Sequence, residues 1–203
     1  MVVLWGRVCL TLLLAGCFIS FAWGMRYFFR HPAQGSSGMR IIRACSIVFA
    51  LLQLAAVLLF FQSLVAGIVA AVLYVLSAAL FWWTIRANRA LPLSAAFLDD
   101  LPVHLNDRGP YRFIRHPFYT SYLLAWLAGA VAVPSLWLAP TVIMMLVIYW
   151  KASQAEENKF ARSTLAASYA AYRARTGRFL PNPWKLVGSG NARWWLKNAP
   201  RLD

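Results

Sequence analysis

The sequence predicts an all-α integral membrane protein of about five transmembrane helices, and three observations predict it. Hydrophobic residues make up 61% of the chain and charged residues only 13%, whereas a soluble domain carries about a quarter charged residues. The apolar residues stand in blocks as long as a bilayer requires. The basic residues stand between those blocks, and on one side of them.

A helix rises about 1.5 Å per residue, so roughly 20 apolar residues cross about 30 Å of hydrocarbon. Val2 to Trp23 fits, with Arg7 near its start. Ile41 to Gln62 fits, with Arg43 at its edge, and Leu64 to Ile85 fits with no charge at all. Two shorter blocks follow, Phe118 to Val133 and Leu136 to Trp150, separated only by Pro134 and Ser135. At about 15 residues each they reach only about 22 Å, so they extend into the interface or thin the bilayer locally. They read as a tight transmembrane hairpin.

The formal net charge of +14 invites a nucleic-acid reading, which its placement argues against. Arg26, Arg30, Arg40 and Arg43 lie between the first two spans, and Arg86, Arg89, Arg108, Arg112 and Arg115 between the third and fourth. The remaining basic residues, Arg7 aside, follow Trp150, and the connections near Ser63 and Pro134 have none. Basic loops mark the cytoplasmic side, so the N-terminus is expected outside and the C-terminal tail inside. The charge then orients the chain and touches anionic headgroups. The expected partners are membrane lipids and a lipophilic substrate, not nucleic acid; nothing in the sequence fixes an oligomeric state.

Leu14-Ala15-Gly16-Cys17 has the look of a lipoprotein cleavage box, but the apolar run continues through Trp23. An uncleaved first span is the expectation. Cys9, Cys17 and Cys45 all lie within apolar segments without metal-ligand spacing, so they read as small buried side chains and no metal site is expected.

The chain thus reads as a single membrane domain over 1–203: three spans in 1–85, a cytoplasmic loop in 86–117, a transmembrane hairpin in 118–150, and a cytoplasmic helix with a basic tail in 151–203. Met25 to Arg40 is a basic connection with a Gly-Ser-rich centre. Arg86 to Pro117 holds Pro92, Pro102, Pro110, His104 and the aspartates Asp99, Asp100 and Asp107. It cannot be one continuous helix, and a structured loop of this length is usually functional. Its aspartates read as solvated charge. Ser153 to Thr176 is rich in helix formers; Phe160, Leu165, Tyr169 and Tyr172 make an apolar stripe along it, suited to an interfacial helix or to one closing over a site. Gly177 and Pro181 end that helix, and Trp194 and Trp195 are placed to anchor the tail.

The stretch that carries chemistry runs from Gly109 to Pro181: Gly109-Pro110-Tyr111, then Arg115-His116-Pro117-Phe118-Tyr119, the hairpin, Glu156-Glu157, Tyr169, Tyr172 and Arg178-Phe179-Leu180-Pro181. The hairpin leaves the interface near Pro117 and returns near Lys151, so its base draws Arg115 and His116 towards Glu156 and Glu157. Ionisable groups at a membrane edge are costly unless paired or functional. Such a set offers a cation for a carboxylate, carboxylates for hydroxyls or an amine, and aromatic faces that favour a positive sulfonium. It has no Gly-rich phosphate cradle and no Ser-His-Asp order. From the residues alone it is a polar site at a membrane edge.

Taken together, Gly-x-Tyr, Arg-His-Pro-x-Tyr, an apolar hairpin, Glu-Glu, Tyr-x-x-Tyr and a closing Arg-x-x-Pro resemble the isoprenylcysteine carboxyl methyltransferase family, whose pattern the related phospholipid N-methyltransferases share. Arg30-His31-Pro32 repeats the tripeptide, but before a Gly-Ser loop, and reads as a basic turn. The chain departs from the family at Thr120-Ser121, where a small Gly often follows the motif Tyr, and at Ser163-Thr164-Leu165, where Phe-Gly is usual.

The resemblance implies a membrane methyltransferase with S-adenosyl-L-methionine in a pocket made by the last two spans and the following helix. Arg115, His116, Tyr119, Glu156 and Glu157 would belong to that pocket, with Tyr111 and Gly109 at its rim. Glu157 would hold ribose hydroxyls, Arg115 and His116 would orient the methionine part, and Glu156 would bind cofactor or pair with Arg115. Since no further carboxylate offers itself as a base, the acceptor is expected to be a lipid-linked, isoprenylcysteine-like carboxylate. Alternatives are a phospholipid amine N-methyltransferase, a membrane lipid or quinone reductase, and a non-catalytic membrane partner.

Overall fold

A computed structural model describes residues 1–30, 37–89, 93–94 and 101–182. The chain is an all-α integral membrane protein. Its helices are α1 (Val2–Tyr27), α2 (Ser37–Phe60), α3 (Leu64–Ala87), α4 (Pro117–Ala132), α5 (Ala139–Ala161) and α6 (Ala166–Arg175). Single 3-10 turns at Gly109–Arg112 and Leu136–Leu138 lead towards α4 and α5. The two-residue strands β1 (Phe29–Arg30) and β2 (Leu93–Ser94) pair in parallel. His31, Pro32, Asp99, Asp100, Trp194 and Trp195 lie outside the described residues.

Among the described residues four helices are long and apolar enough to cross a membrane: Val2–Tyr27, Arg40–Phe60, Leu64–Ala87 and Leu136–Ala161. Their surfaces say what surrounds them. In α1 the buried residues recur at helical spacing as Leu10, Leu14, Cys17, Phe21 and Gly24, while Leu4, Leu12 and Ile19 are exposed. In α3 Gly67, Ala70, Tyr74, Ser77, Phe81 and Thr84 are buried, while Val65, Ile68, Val72 and Val75 are exposed. A helix apolar on both its packed and its open face has lipid on the open one.

The fifth predicted span, α4, has 16 residues and so reaches only about 24 Å. It nevertheless sits deepest in the bundle. Ser121, Ala125, Ala128, Gly129 and Ala132 are all buried, a small-residue surface that lets helix backbones approach closely where lipid supplies no hydrophobic drive. Ser77 of α3 uses that closeness to donate its hydroxyl to the Ser121 carbonyl at 2.7 Å. At Gly129 an added Cβ would fall onto the amide of Gln53 of α2. That amide is fully buried and donates to the Trp126 carbonyl at 3.0 Å and the Thr141 hydroxyl at 3.4 Å. Gly129→Ala must therefore displace it and break its bonds. The expected cost is about 1–3 kcal/mol, the penalty of a buried donor left unmade, read as a lower thermal midpoint in detergent; an unchanged midpoint contradicts this packing.

Arg7, the charge at the start of the first span, has a structural duty. Its guanidinium donates to the carbonyls of Phe61 and Leu59, which satisfies the open C-terminal end of α2. Ser63 then caps α3, its hydroxyl accepting from the Ala66 amide at 3.3 Å.

Two expectations are corrected here. The hairpin's second arm does not stop at Trp150: α5 continues through Lys151 and both glutamates to Ala161, because Lys, Ala, Gln and Glu are good helix formers and nothing in Lys151-Ala-Ser-Gln-Ala-Glu breaks a helix. The following segment is not one helix over 153–176. Ser163 ends α5, its hydroxyl donating to the Phe160 carbonyl at 2.8 Å and accepting from the Leu165 amide at 3.1 Å. This local side-chain bonding competes with helix continuation. The chain doubles back into α6, and Phe160 stacks on Tyr169 with ring centroids 4.4 Å apart. The apolar stripe is thus folded across a turn rather than laid along one helix.

Candidate functional site

The site lies where α4 begins and α5 ends. Its loop is fixed first. Gly109 turns with φ +57°, a conformation that suits glycine, and an added Cβ would sit 2.8 Å from that of Ala87. Asn106 donates to the Ala87 carbonyl at 3.1 Å and to the Asn88 side-chain oxygen at 2.7 Å. Asn88 in turn donates to the Tyr111 hydroxyl at 3.1 Å. Tyr172 of α6 donates to the Tyr111 carbonyl at 2.8 Å. The closing segment then runs beside the motif: the Arg115 amide donates to the Gly177 carbonyl at 2.8 Å, the His116 amide to the Arg178 carbonyl at 3.1 Å, and the Gly177 amide back to Phe113. Thr120 adds a hydroxyl bond to the Phe179 carbonyl at 2.7 Å, so the residue that departs from the family's small Gly has become a tie between α4 and the closing strand.

This backbone clamp brings Arg115, His116, Tyr119, Glu156 and Glu157 together. The two glutamates are unequal. Glu157 is 6% exposed and takes Arg115 Nε at 3.0 Å, His116 Nε2 at 3.2 Å and Arg178 at 2.9 Å, with Arg173 Nε at 3.9 Å. Three donors bond this carboxylate directly, and a fourth cation stands within ion-pair distance. Glu156 is 29% exposed. It accepts the Tyr119 hydroxyl at 2.6 Å on one oxygen and His116 Nδ1 at 3.2 Å on the other. Arg115 therefore pairs with Glu157, not with Glu156, and its other donors hold the Thr176 carbonyl at 2.6 Å and that of Arg173 at 3.4 Å.

His116 stands between the two carboxylates. Both ring nitrogens face a carboxylate oxygen, and both can donate only in the imidazolium form. Burial alone lowers the imidazole pKa, but the hydrogen bonds and charges of Glu156 and Glu157 outweigh it and hold the pKa above its usual value. A group whose folded pKa is raised stabilises fully below its unfolded value, about 6.5, and that contribution is lost as pH climbs through the folded value. Thermal midpoints in detergent are expected to fall over that range, and His116→Gln is expected to flatten the fall. A wild-type slope unchanged in the variant would contradict the paired imidazolium.

Tyr111 makes no hydrogen bond to these five residues; it is bound to Asn88 and Tyr172 and feels the charge of Glu156. Asp107, read from sequence as solvated charge, pairs with Arg175 at 3.0 Å. Arg178 received no individual role from the sequence, although it stands in the closing motif. Its guanidinium lies over the Trp150 ring, 4.3 Å from the centroid. One nitrogen, NH1, is buried without a hydrogen-bond partner.

A polar cluster of this kind, set at the edge of an apolar bundle beside the rings of Tyr119, Tyr122, Tyr149 and Trp150, defines a membrane-embedded protein with a concentrated polar site. Residues 64–167, more than half of the chain, match the phospholipid methyltransferase family, and the chain belongs to that family of membrane methyltransferases. No curated protein and no solved structure was found to match the chain. The family match covers α3, the loop, the hairpin and both glutamates, and it ends before Tyr169 and Arg178.

Proposed function

We propose that this chain transfers a methyl group from S-adenosyl-L-methionine to a polar group on a membrane lipid, at the face marked by its basic loops. The observation that carries the reading is the pairing of a saturated glutamate with an open one. Glu157 organises Arg115, His116 and Arg178. Glu156, partly exposed beside Tyr119, is the carboxylate able to accept hydroxyls or a ligand ammonium. The ribose-holding role is thereby proposed for Glu156 rather than for Glu157. The tyrosine faces suit a sulfonium, and the basic residues suit its carboxylate. The residues present fit the cofactor.

When bound, the cofactor supplies an activated methyl, which passes by in-line displacement with the electron pair of the broken bond left on sulfur. The chain's part is to align acceptor and donor and to exclude water. Glu156 and Glu157 both already accept bonds from cations or a hydroxyl, and both nitrogens of His116 are turned to these carboxylates, so none of the three is aimed at an incoming acceptor's proton. This favours an acceptor that is nucleophilic as it stands, an isoprenylcysteine-like carboxylate whose oxygen bonds the methyl carbon without losing a proton. The matching family's description favours a second reading, N-methylation of a phospholipid amine.

In this reading the site, α6 and the C-terminal segment lie on the cytoplasmic side and the N-terminus outside, which the distribution of basic loops supports. In this topology the chain is one membrane domain over 1–203, with its lipids and a lipophilic acceptor as partners.

The test is methyl transfer from methyl-labelled cofactor by purified protein in vesicles carrying either an S-prenylated cysteine or a primary-amine phospholipid. A base-labile label on the first lipid supports the carboxylate reading, and a base-stable label on the second supports the amine. No label on either would overturn both.

A further inference from the structure

Tyr122 lies one turn beyond Tyr119 on α4, about 4.5 Å further along the helix axis. It is 8% exposed, and its hydroxyl is buried with no hydrogen-bond partner. Its ring is packed against aromatic rings from three other helices: Phe21 of α1 at 4.7 Å, Tyr149 of α5 at 5.7 Å and Phe81 of α3 at 6.3 Å between centroids. The two tyrosines it touches use their hydroxyls. Tyr119 gives its proton to Glu156 at 2.6 Å, and Tyr149 accepts from Trp126 Nε1 at 3.2 Å. Tyr122 alone of this trio has an idle one.

An idle buried hydroxyl is an expense that phenylalanine would avoid. The ring is packed among other aromatic rings, and a hydroxyl desolvated without a partner destabilises the fold. The ring stands at the junction of the two halves of the molecule. On one side, 6.4 Å away between centroids, is the ring of Tyr119, which bonds Glu156; on the other are the rings of Phe21 of α1 and Phe81 of α3, which come from the N-terminal spans.

We propose that the Tyr122 hydroxyl positions the methyl acceptor, donating its hydrogen bond to an anionic oxygen of the lipid's polar head as that head comes up to the Tyr119–Glu156 pair from the membrane side. This rests on the methyl-transfer reading above. It assigns to α4 two faces of one site, with Tyr119 turned to the cofactor through Glu156 and Tyr122 turned to the lipid.

The test compares wild type with Tyr122→Phe, full length and in detergent or vesicles, by thermal midpoint, S-adenosyl-L-methionine affinity, and methyl transfer to an S-prenylated cysteine. The expected result is a midpoint equal to wild type or higher, an unchanged cofactor Kd, and kcat/KM for the lipid lower by about tenfold, the loss of one hydrogen bond to a charged group. Equal kcat/KM overturns the proposal, as does a lower midpoint or a weakened cofactor Kd, which would give the hydroxyl a structural or cofactor role. An active wild type matched by its variant sinks this inference alone; a wild type that transfers no methyl to either lipid sinks the methyl-transfer reading with it.

Discussion

Glu157→Ala is expected to destabilise the protein by about 3–5 kcal/mol, the effect of removing one partner from a buried ion pair. The substitution leaves Arg115, 7% exposed, without its carboxylate, and removes at the same stroke the acceptor for His116 Nε2 and Arg178. Three cationic donors would then face one another around an empty position. The consequence reaches beyond α5, because Arg115 also holds the Thr176 carbonyl and Arg178 lies in the segment paired with Arg115 and His116. The α6 segment is expected to lose its seat on the hairpin. Thermal midpoint and monodispersity in detergent measure this directly. A variant as stable as wild type that has simply lost its ligand would show that Glu157 belongs to the binding surface rather than to the frame.

Glu156→Ala is expected to do the opposite. Its carboxylate is the more exposed of the two, and its loss orphans only the Tyr119 hydroxyl and His116 Nδ1. The fold should be kept, at a cost of about 1–3 kcal/mol for the buried donor left unmade, less than for Glu157→Ala. S-adenosyl-L-methionine affinity is expected to fall by about 10- to 100-fold, the range for one hydrogen bond to a charged group at roughly 1.5–3 kcal/mol. Calorimetry on the two variants side by side separates the duties: one should fail in stability and the other in binding. Equal affinity in Glu156→Ala would remove this residue from the cofactor site.

The membrane architecture was legible because apolar blocks and basic loops each register a physical constraint independently. Val2 to Trp23 and Leu64 to Ile85 fall within α1 and α3, and Arg7 was visible as an exception whose duty, closing the end of α2, depends on a neighbouring helix the sequence does not indicate. The end of α5 was misread because polarity changes at Lys151 while helix propensity does not; the sequence marks where lipid ends, not where the helix ends. The break at Ser163 was hidden by an apolar stripe whose spacing remains regular across a turn. In the site, the hairpin alone implied that Arg115 and His116 meet the glutamate pair. Which glutamate is buried could not be read, since adjacent residues on a helix differ by about 100° in direction and only the position of Arg178 decides which one faces the cations. Arg178 reaches it through a pairing between 113–116 and 177–178, a contact between distant segments with no local signature. Tyr111 was expected at the rim from the Gly-x-Tyr of the motif, and its bonds to Asn88 and Tyr172 could not be read, because both partners come from distant segments.

The most direct test is titration of S-adenosyl-L-methionine into the full-length wild-type protein in detergent, followed by calorimetry, with Glu156→Ala as the control. Saturable binding at one site, weakened in a variant that remains folded and more stable than Glu157→Ala, is the predicted result. A folded wild type that takes up no S-adenosyl-L-methionine, with or without added lipid, would contradict it.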